Sequence, residues 1–400
     1  MRIYSHKFFW LMVIIQIPLI MTQSSVIDRL FNVNIANTGT ASAATVPSFV
    51  DENQQPLADQ TIRVLCYETD TNPSPFLDLI LQTDDNGLSL TRLPDSCNYI
   101  AAMHLLREQP GKNNHGTAYQ IYNTNWTAGA STPQPVPMVG EIEIDSQNRL
   151  VLFNVVVSLE WEPAADSPYT EEFKRGLSAA SALLYDMSEG QMAIGAVEIE
   201  TNGRRWEDAD IRIRAANDYR PSAYVGGIVD QPTRYDIPAT NDDPIYAPGA
   251  IYLGRYWNGK DAFDPASGRW NQPAAFRTII HEWAHYALFL YDEYQQDNGT
   301  ASYCVCNDLP NSDCGHGDLT GSLMSYHYTA DELWFTPLDG EPLTCLNTDQ
   351  WHVHGQSDWD TLLAWPQIQG GTESLRTPTN LTTGPILGLT ADLFDRTPSY

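Results

Sequence analysis

The run HEWAHYALFLYDEY, which begins at His281, constrains this chain more than any other stretch. His281 and His285 stand four residues apart, with Glu282 between them. On a helix, positions i and i+4 lie on one face, one turn apart. Two imidazoles so placed can reach one Zn²⁺ at about 2.0–2.1 Å each. Glu282 is then positioned to hold a metal-bound water as a general base. The flanks predict a helix of the right kind. Pro273 suits its first turn and Asn271 its N-cap. Ala275, Ile279, Ala287 and Leu290 give apolar cover nearly all round, as for a helix packed on both sides, with Arg277 as the exception.

A hydrolytic zinc site takes three protein ligands and leaves one position open. Asp292 follows His285 by seven residues. A straight helix would carry it about 10.5 Å further along the axis, out of reach of the ion. Asp292 therefore serves as third ligand only if the chain turns near Leu288 or Phe289 and folds back. A left-handed turn at Phe289 is sterically costly for a residue with a Cβ. Glu293, or a water ligand alone, are the other readings of the third position.

Downstream, residues 321–328 read GSLMSYHY. The segment Ser322-Leu323-Met324-Ser325-Tyr326 resembles the Met-turn of the metzincins, which places a Met beneath the zinc site. That resemblance makes Met324 the structural residue under the site and Tyr326 a candidate for stabilising the developing oxyanion. The spacing HEWAH…DEY, with Cys345 and the run SDWDTLL from Ser357, resembles the N-terminal zincin of the calcium-activated chloride channel regulator family and its prokaryotic relatives. The resemblance covers roughly residues 150–366. It implies that His281, His285 and Asp292 bind zinc and that Glu282 is catalytic. It also implies a cleft bordered by an edge strand, which the alternating run GAIYLGRYW (residues 249–257) would supply, with Tyr252, Arg255, Tyr256 and Trp257 flanking it. Many relatives of the motif have Gly where this chain has Phe289, and the long C-terminal region of the animal relatives is absent here.

Fifty acidic against 22 basic side chains leave a formal net charge of −28. That charge argues against nucleic acid and anionic membrane surfaces as partners, and for a well-solvated protein outside the cell. Arg2 and Lys7 precede a short apolar run at residues 8–21, as in an export signal, and no stable membrane span is expected once it is removed. Cleavage after residues 41–43 or 22–24 and an uncleaved anchor all remain open. In an exported chain the six cysteines are expected to form disulfides. Cys66 should pair with Cys97. Cys304, Cys306, Cys314 and Cys345 should form two more bridges, of open connectivity; the first three with His316 could instead hold a structural metal.

The remaining periodicity predicts the layout. A signal and leader occupy residues 1–44. Residues 45–130 hold β-prone runs at 61–69 and 98–106 and a turn at Asn86-Gly87; their order resembles the small transthyretin-like or carboxypeptidase-regulatory β-sandwiches. A Pro-rich linker follows at 131–148. The peptidase domain spans 149–366. It starts with the apolar run RLVLFNVVVSLEW and continues with a helix capped by Thr170, further strands and the HExxH helix. Residues 367–400 form a tail. The expected fold is an α+β, metzincin-like zincin preceded by a small all-β sandwich. The expected activity is that of a secreted or cell-envelope zinc metalloendopeptidase acting on protein or peptide substrates. The alternative is a catalytically silent zincin-fold protein used for cell-surface binding or adhesion.

Overall fold

A strand that is apolar on both faces must be covered on both faces, and residues 149–159 form such a strand at the centre of the molecule. The structure, a computed structural model, describes residues 46–71, 75–109, 118–123, 135–146, 149–188, 190–234, 244–258, 268–297, 300–303, 322–328, 330, 333 and 347–364. The signal and tail expectations lie outside these residues, as do Cys304, Cys306, Cys314 and Cys345. The first half contributes β1 (Ser48–Asp51), β2 (Thr61–Tyr67), β3 (Leu77–Gln82), β4 (Tyr99–Gln109), β5 (Ala118–Asn123), β6 (Val136–Pro137), β7 (Glu141–Ile144) and β8 (Arg149–Leu159). Next come α1 (Tyr169–Met187), β9 (Met192–Glu200), β10 (Ile211–Ile213), β11 (Ser222–Ala223), β12 (Thr233–Arg234), β13 (Ile245–Tyr246) and β14 (Ile251–Leu253). Then follow α2 (Pro273–Leu288), the hairpin β15 (Tyr294–Asp297) and β16 (Thr300–Tyr303), α3 (Asp349–His354) and α4 (Asp358–Ala364).

One sheet of mixed direction runs β11-β14-β10-β8-β5-β4-β2-β3. β8 holds it together. Parallel β9 lies along one side of β8, from Val151 to Ser158. On its other side, antiparallel β5 pairs with the first half and parallel β10 with the last three residues. The β-rich N-terminal region and the helical region therefore share this sheet, and all described residues belong to one compact unit beginning at Ala44. β1 and β7 pair in parallel as a second layer. Phe49, Ile142 and Ile144 of that layer pack on Ile62, Val64, Leu81, Ile100 and Ala102 of the sheet. The Cys66–Cys97 disulfide lies in the same cluster. The opposite face of β2 and β4, through Leu65, Ala101 and Met103, meets Ala182 and Tyr185 of α1. Part of the Pro-rich stretch is itself in strands: β6 pairs with β4 and β7 with β1. The turn at Asn86-Gly87 forms, with Gly87 at φ +73° and Asp84 Oδ1 accepting from the amides of Asn86 and Leu88.

Three local expectations are corrected. The run at residues 249–257 is not an edge strand. β14 pairs with β10 on one side and with β11 on the other, so among the described residues β11 is the edge. A two-residue strand carries no periodic signal, which is why the sequence pointed to its longer neighbour. Thr170 does not cap α1 and Asn271 does not cap α2; the caps are Pro168 and Gln272, and neither makes a side-chain cap bond. Pro273 does open α2, where its missing N–H costs nothing.

α1 and α2 cover one face of the β8–β14 part of the sheet. Trp283 of α2 is fully buried and meets Phe153 edge to face at 5.5 Å. Burying a side chain of that size contributes roughly 1.5–3 kcal/mol. Tyr286, on the same helix, donates to Asp210 Oδ1 at 2.6 Å, while Asp210 Oδ2 accepts from the Val156 amide at 2.8 Å. These bonds fix the helix against the sheet and leave the face carrying His281 and His285 toward the later segments. Arg277 is buried as well, and its Nε donates to the Ala330 carbonyl at 3.0 Å.

Candidate metal centre

The site is assembled by three segments: α2, the loop after it and the turn around Met324. His281 and His285 are both buried on α2, with Nε2 atoms 3.2 Å apart. Each ring is fixed through its other nitrogen. His281 Nδ1 donates to the Leu323 carbonyl at 2.9 Å, and His285 Nδ1 donates to the Leu290 carbonyl at 2.7 Å. In the neutral rings those bonds set the tautomer and turn each Nε2 lone pair toward the same point, where a cation would displace any proton held there.

Asp292 joins them because the helix stops at once after Leu288. Phe289 adopts the left-handed conformation, φ +63° and ψ +20°, and its amide donates to the Ala284 carbonyl. Gly normally takes this position because it has no Cβ. Here the Phe289 ring is buried and packs edge to face on Tyr246 at 4.5 Å. The space exists because residue 226 is Gly: a Cβ there would lie 2.7 Å from the Phe289 ring and 2.6 Å from Tyr246. Contacts distant in sequence thus hold a conformation that local sterics oppose.

The turn brings Asp292 Oδ1 to 3.3 Å from His285 Nε2 and 3.5 Å from His281 Nε2. The three residues form the group of possible metal ligands found among the described residues. A tetrahedral ion with bonds of 2.0–2.1 Å separates its ligand atoms by roughly 3.3–3.4 Å. The observed spacings of 3.2, 3.3 and 3.5 Å match the three edges of one tetrahedral face. Two imidazoles and one carboxylate are also a donor set that Zn²⁺ accepts. Glu293 does not share the site. It is fully buried, its amide donates to the Met324 carbonyl at 2.8 Å, and burial together with the adjacent Asp358 carboxylate pushes its carboxyl well above the usual range.

Electrostatics within the group follow from burial and from one shared negative charge. Burial and the neighbouring His285 push His281 down to about 4. Burial opposes charge on His285 too, but the bond to Asp292 and the charges of Asp292 and Glu282 outweigh it and lift the ring to about 9. Burial would raise Asp292; the two histidines more than offset this and hold it below its ordinary value. Glu282 is buried beside the pair, and desolvation raises its carboxyl to about 7.

The segment around Met324 supports the floor. Ser325 N donates to the Ser322 carbonyl at 3.0 Å, closing a tight turn, and Met324 is fully buried in the main core. Its neighbours do the orienting: Leu323 through its carbonyl to His281, Met324 through its carbonyl to Glu293. Tyr326 is half-buried, with its ring 5.3 Å from that of Tyr328.

Two residues after the turn, His327 and Tyr328, were not among the expected site residues. His327 stacks on His281 at 4.3 Å, with its Nε2 3.2 Å from Thr278 Oγ1; burial and both ligand histidines hold it well below its ordinary value. Tyr328 is exposed, lies 6.0 Å from Trp257, and has a hydroxyl raised by burial, Tyr326 and Glu282 against the pull of Arg220. The signal available in sequence was the alternation Tyr-His-Tyr directly after the turn. Of the side chains expected to flank the cleft, Trp257 approaches Tyr328, whereas Tyr252 lies under Arg212 on the other face of the sheet from Ile251 and Leu253. Arg255 and Tyr256 pack near the start of α1, against Trp161 and Tyr169.

In comparisons with known proteins, no family model, curated protein or solved structure matches this chain. No helix among the described residues is long and apolar enough to cross a membrane.

Proposed function

We propose that this chain is an exported zinc-dependent endopeptidase of the zincin type that its sequence resembles. The observation that carries the proposal is the face formed by His281 Nε2, His285 Nε2 and Asp292 Oδ1, spaced as ligands of one tetrahedral ion, with buried Glu282 beside it. Zinc held there would polarise a scissile carbonyl and acidify water.

The chain's own residues do the rest. The Leu323 and Leu290 carbonyls keep both Nε2 atoms aimed at one point. Glu282, buried beside the two histidines, is the base that takes the proton of the attacking water. The same carboxyl then delivers that proton to the leaving nitrogen. The edge strand β11 runs toward α2, and the Gly226 amide just beyond it donates to the His285 carbonyl at 2.8 Å. The outer side of β11, an edge among the described residues, offers an extended peptide a strand to join. Tyr328 and Trp257 then border the cleft.

Glu282→Gln keeps the shape of the site and removes the base. Zinc content should be retained while casein digestion falls by at least ~10²-fold, the scale of a lost acid–base group. Full activity in that variant refutes the assignment. In the double variant His281→Ala, His285→Ala, unchanged zinc content measured by elemental analysis refutes the metal site itself.

A further inference from the structure

The short helix α3 lies fifty-seven residues and more beyond Asp292, yet it bonds to nearly every peptide of the turn that carries this residue to the histidines. His354 Nε2 donates to the Phe289 carbonyl at 2.9 Å. Gln350 Oε1 accepts from the Tyr291 amide at 2.9 Å, and the Gln350 amide donates to the Asp292 carbonyl at 3.2 Å. The intervening Leu290 carbonyl is taken by His285 Nδ1, and the next amide, that of Glu293, by Met324. Both α3 side chains are buried, at 4 % and 0 % exposure for His354 and Gln350. α3 is itself fixed. Thr348 caps it by accepting from Trp351 N, Gly355 ends it in the left-handed conformation, and Gln350 Nε2 is anchored to Thr361 Oγ1 of α4 at 2.9 Å.

We propose that His354 and Gln350 are positioning residues that set zinc affinity by holding the 289–292 turn in its strained, ligand-presenting form. The inference rests on the reading of His281, His285 and Asp292 as a metal centre. The physical reason is preorganisation. A left-handed Phe costs roughly 1–2 kcal/mol over a right-handed one, so the loop left to itself favours conformations that carry Asp292 away from the pair. The α3 bonds are directed at two carbonyls and one amide of that loop, those of Phe289, Asp292 and Tyr291, and at no ligand side chain. Their loss therefore loosens the third ligand while the two histidines stay fixed by their own carbonyl partners.

The test is a Zn²⁺ titration of the full-length protein in competition with a chromophoric chelator at constant pH. His354→Phe removes the donor to Phe289, and His354→Gln supplies an amide N–H at nearly the same reach. Gln350→Met removes the acceptor for Tyr291 N. His354→Phe and Gln350→Met should each weaken zinc binding by about tenfold or more, the usual scale for lost outer-shell partners. His354→Gln should recover most of it. Cobalt(II) spectra of the two weak variants should show an altered ligand field, a change that loss of fold stability alone would not produce in the folded fraction. Two independent positions keep the test decisive should one variant not fold. Variants with wild-type zinc affinity, in a wild type that binds zinc, overturn the role of α3 alone. A wild type that takes up no zinc overturns the metal centre and this inference together.

Discussion

Replacing Phe289 separates two opposed contributions at one residue. Its ring is 1 % exposed and seated on Tyr246, so truncation to Ala leaves a cavity and should destabilise the protein by about 3–5 kcal/mol. Its backbone sits at φ +63°. Ala keeps the Cβ that opposes this conformation, whereas Gly is relieved of roughly 1–2 kcal/mol. Gly also loses more chain entropy on folding, by about 0.5–1 kcal/mol relative to Ala in ordinary positions. The balance favours Phe289→Gly over Phe289→Ala by about 0.5–1 kcal/mol, the reverse of the order in a right-handed helix. Both variants should remain below the wild type, because the lost ring outweighs the relieved backbone. Urea unfolding by circular dichroism measures this, with the midpoints compared at an unchanged slope. Phe289→Ala equal to or more stable than Phe289→Gly would refute the left-handed turn, and with it the route by which Asp292 reaches the histidines. Gly226→Ala approaches the same packing from the other side. Its Cβ would strike Phe289 and Tyr246, and its own φ is +65°, so it should destabilise strongly while touching no ligand.

Asp292→Ala should sharply weaken zinc binding, whereas Glu293→Ala should leave the metal in place and lower stability; isothermal titration of both variants would expose a shift of the ligand by one position. His354 is held at about 4 by burial, against 6.5 for a free imidazole, so the unfolded chain binds its proton first as pH falls. Stability should therefore decline between about pH 6.5 and 4, by up to about 3 kcal/mol from this group, and be unaffected by it above that window. His354→Gln should flatten the decline, as read from urea midpoints at pH 4.5 and 7, and an undiminished slope would contradict a buried neutral imidazole. If substrates pair with the β11 edge, peptides of several residues should be cleaved and free dipeptides spared; the opposite selectivity, measured by chromatography of the digests, argues for a closed exopeptidase pocket.

How much of this was legible in the chain depends on whether the signal was local. The i,i+4 spacing of His281 and His285 is a property of one helix, so their shared face and the adjacent carboxylate followed from the spacing alone. The seven-residue step to Asp292 required a turn, and the cost of putting Phe there was equally plain from sterics. What local sterics could not supply is the compensation. It comes from Gly226, Tyr246, Gln350 and His354, scattered from residue 226 to residue 354. The same limit applies to the sheet. The apolar run at 149–159 announced a buried strand, but nothing in it showed that one side would divide between β5 and β10 and join the two regions. β11 is two residues long, so the edge of the sheet had no periodicity to read.

Continuity of the sheet also bears on what the N-terminal β region is for. A separate module would meet the rest of the chain through a surface; here β5 pairs directly with β8, and β8 pairs with β10, the strand from which the sheet continues to β14 and β11. β8 also carries Phe153, against which Trp283 of the ligand helix rests, and Val156, whose amide shares Asp210 with Tyr286 of that helix. α2 is thus registered on a strand whose first half, Phe153 included, is held by the β region. Removing that region would strip β8 of its antiparallel neighbour along residues 149–153 and uncover Leu150, Leu152, Ala182 and Tyr185, which now pack on Leu65, Tyr67, Ala101 and Met103 of the β region. An apolar surface of that kind, next to an unpaired strand, promotes association with other chains instead of independent folding. The β region therefore belongs to the scaffold of the proposed metal centre.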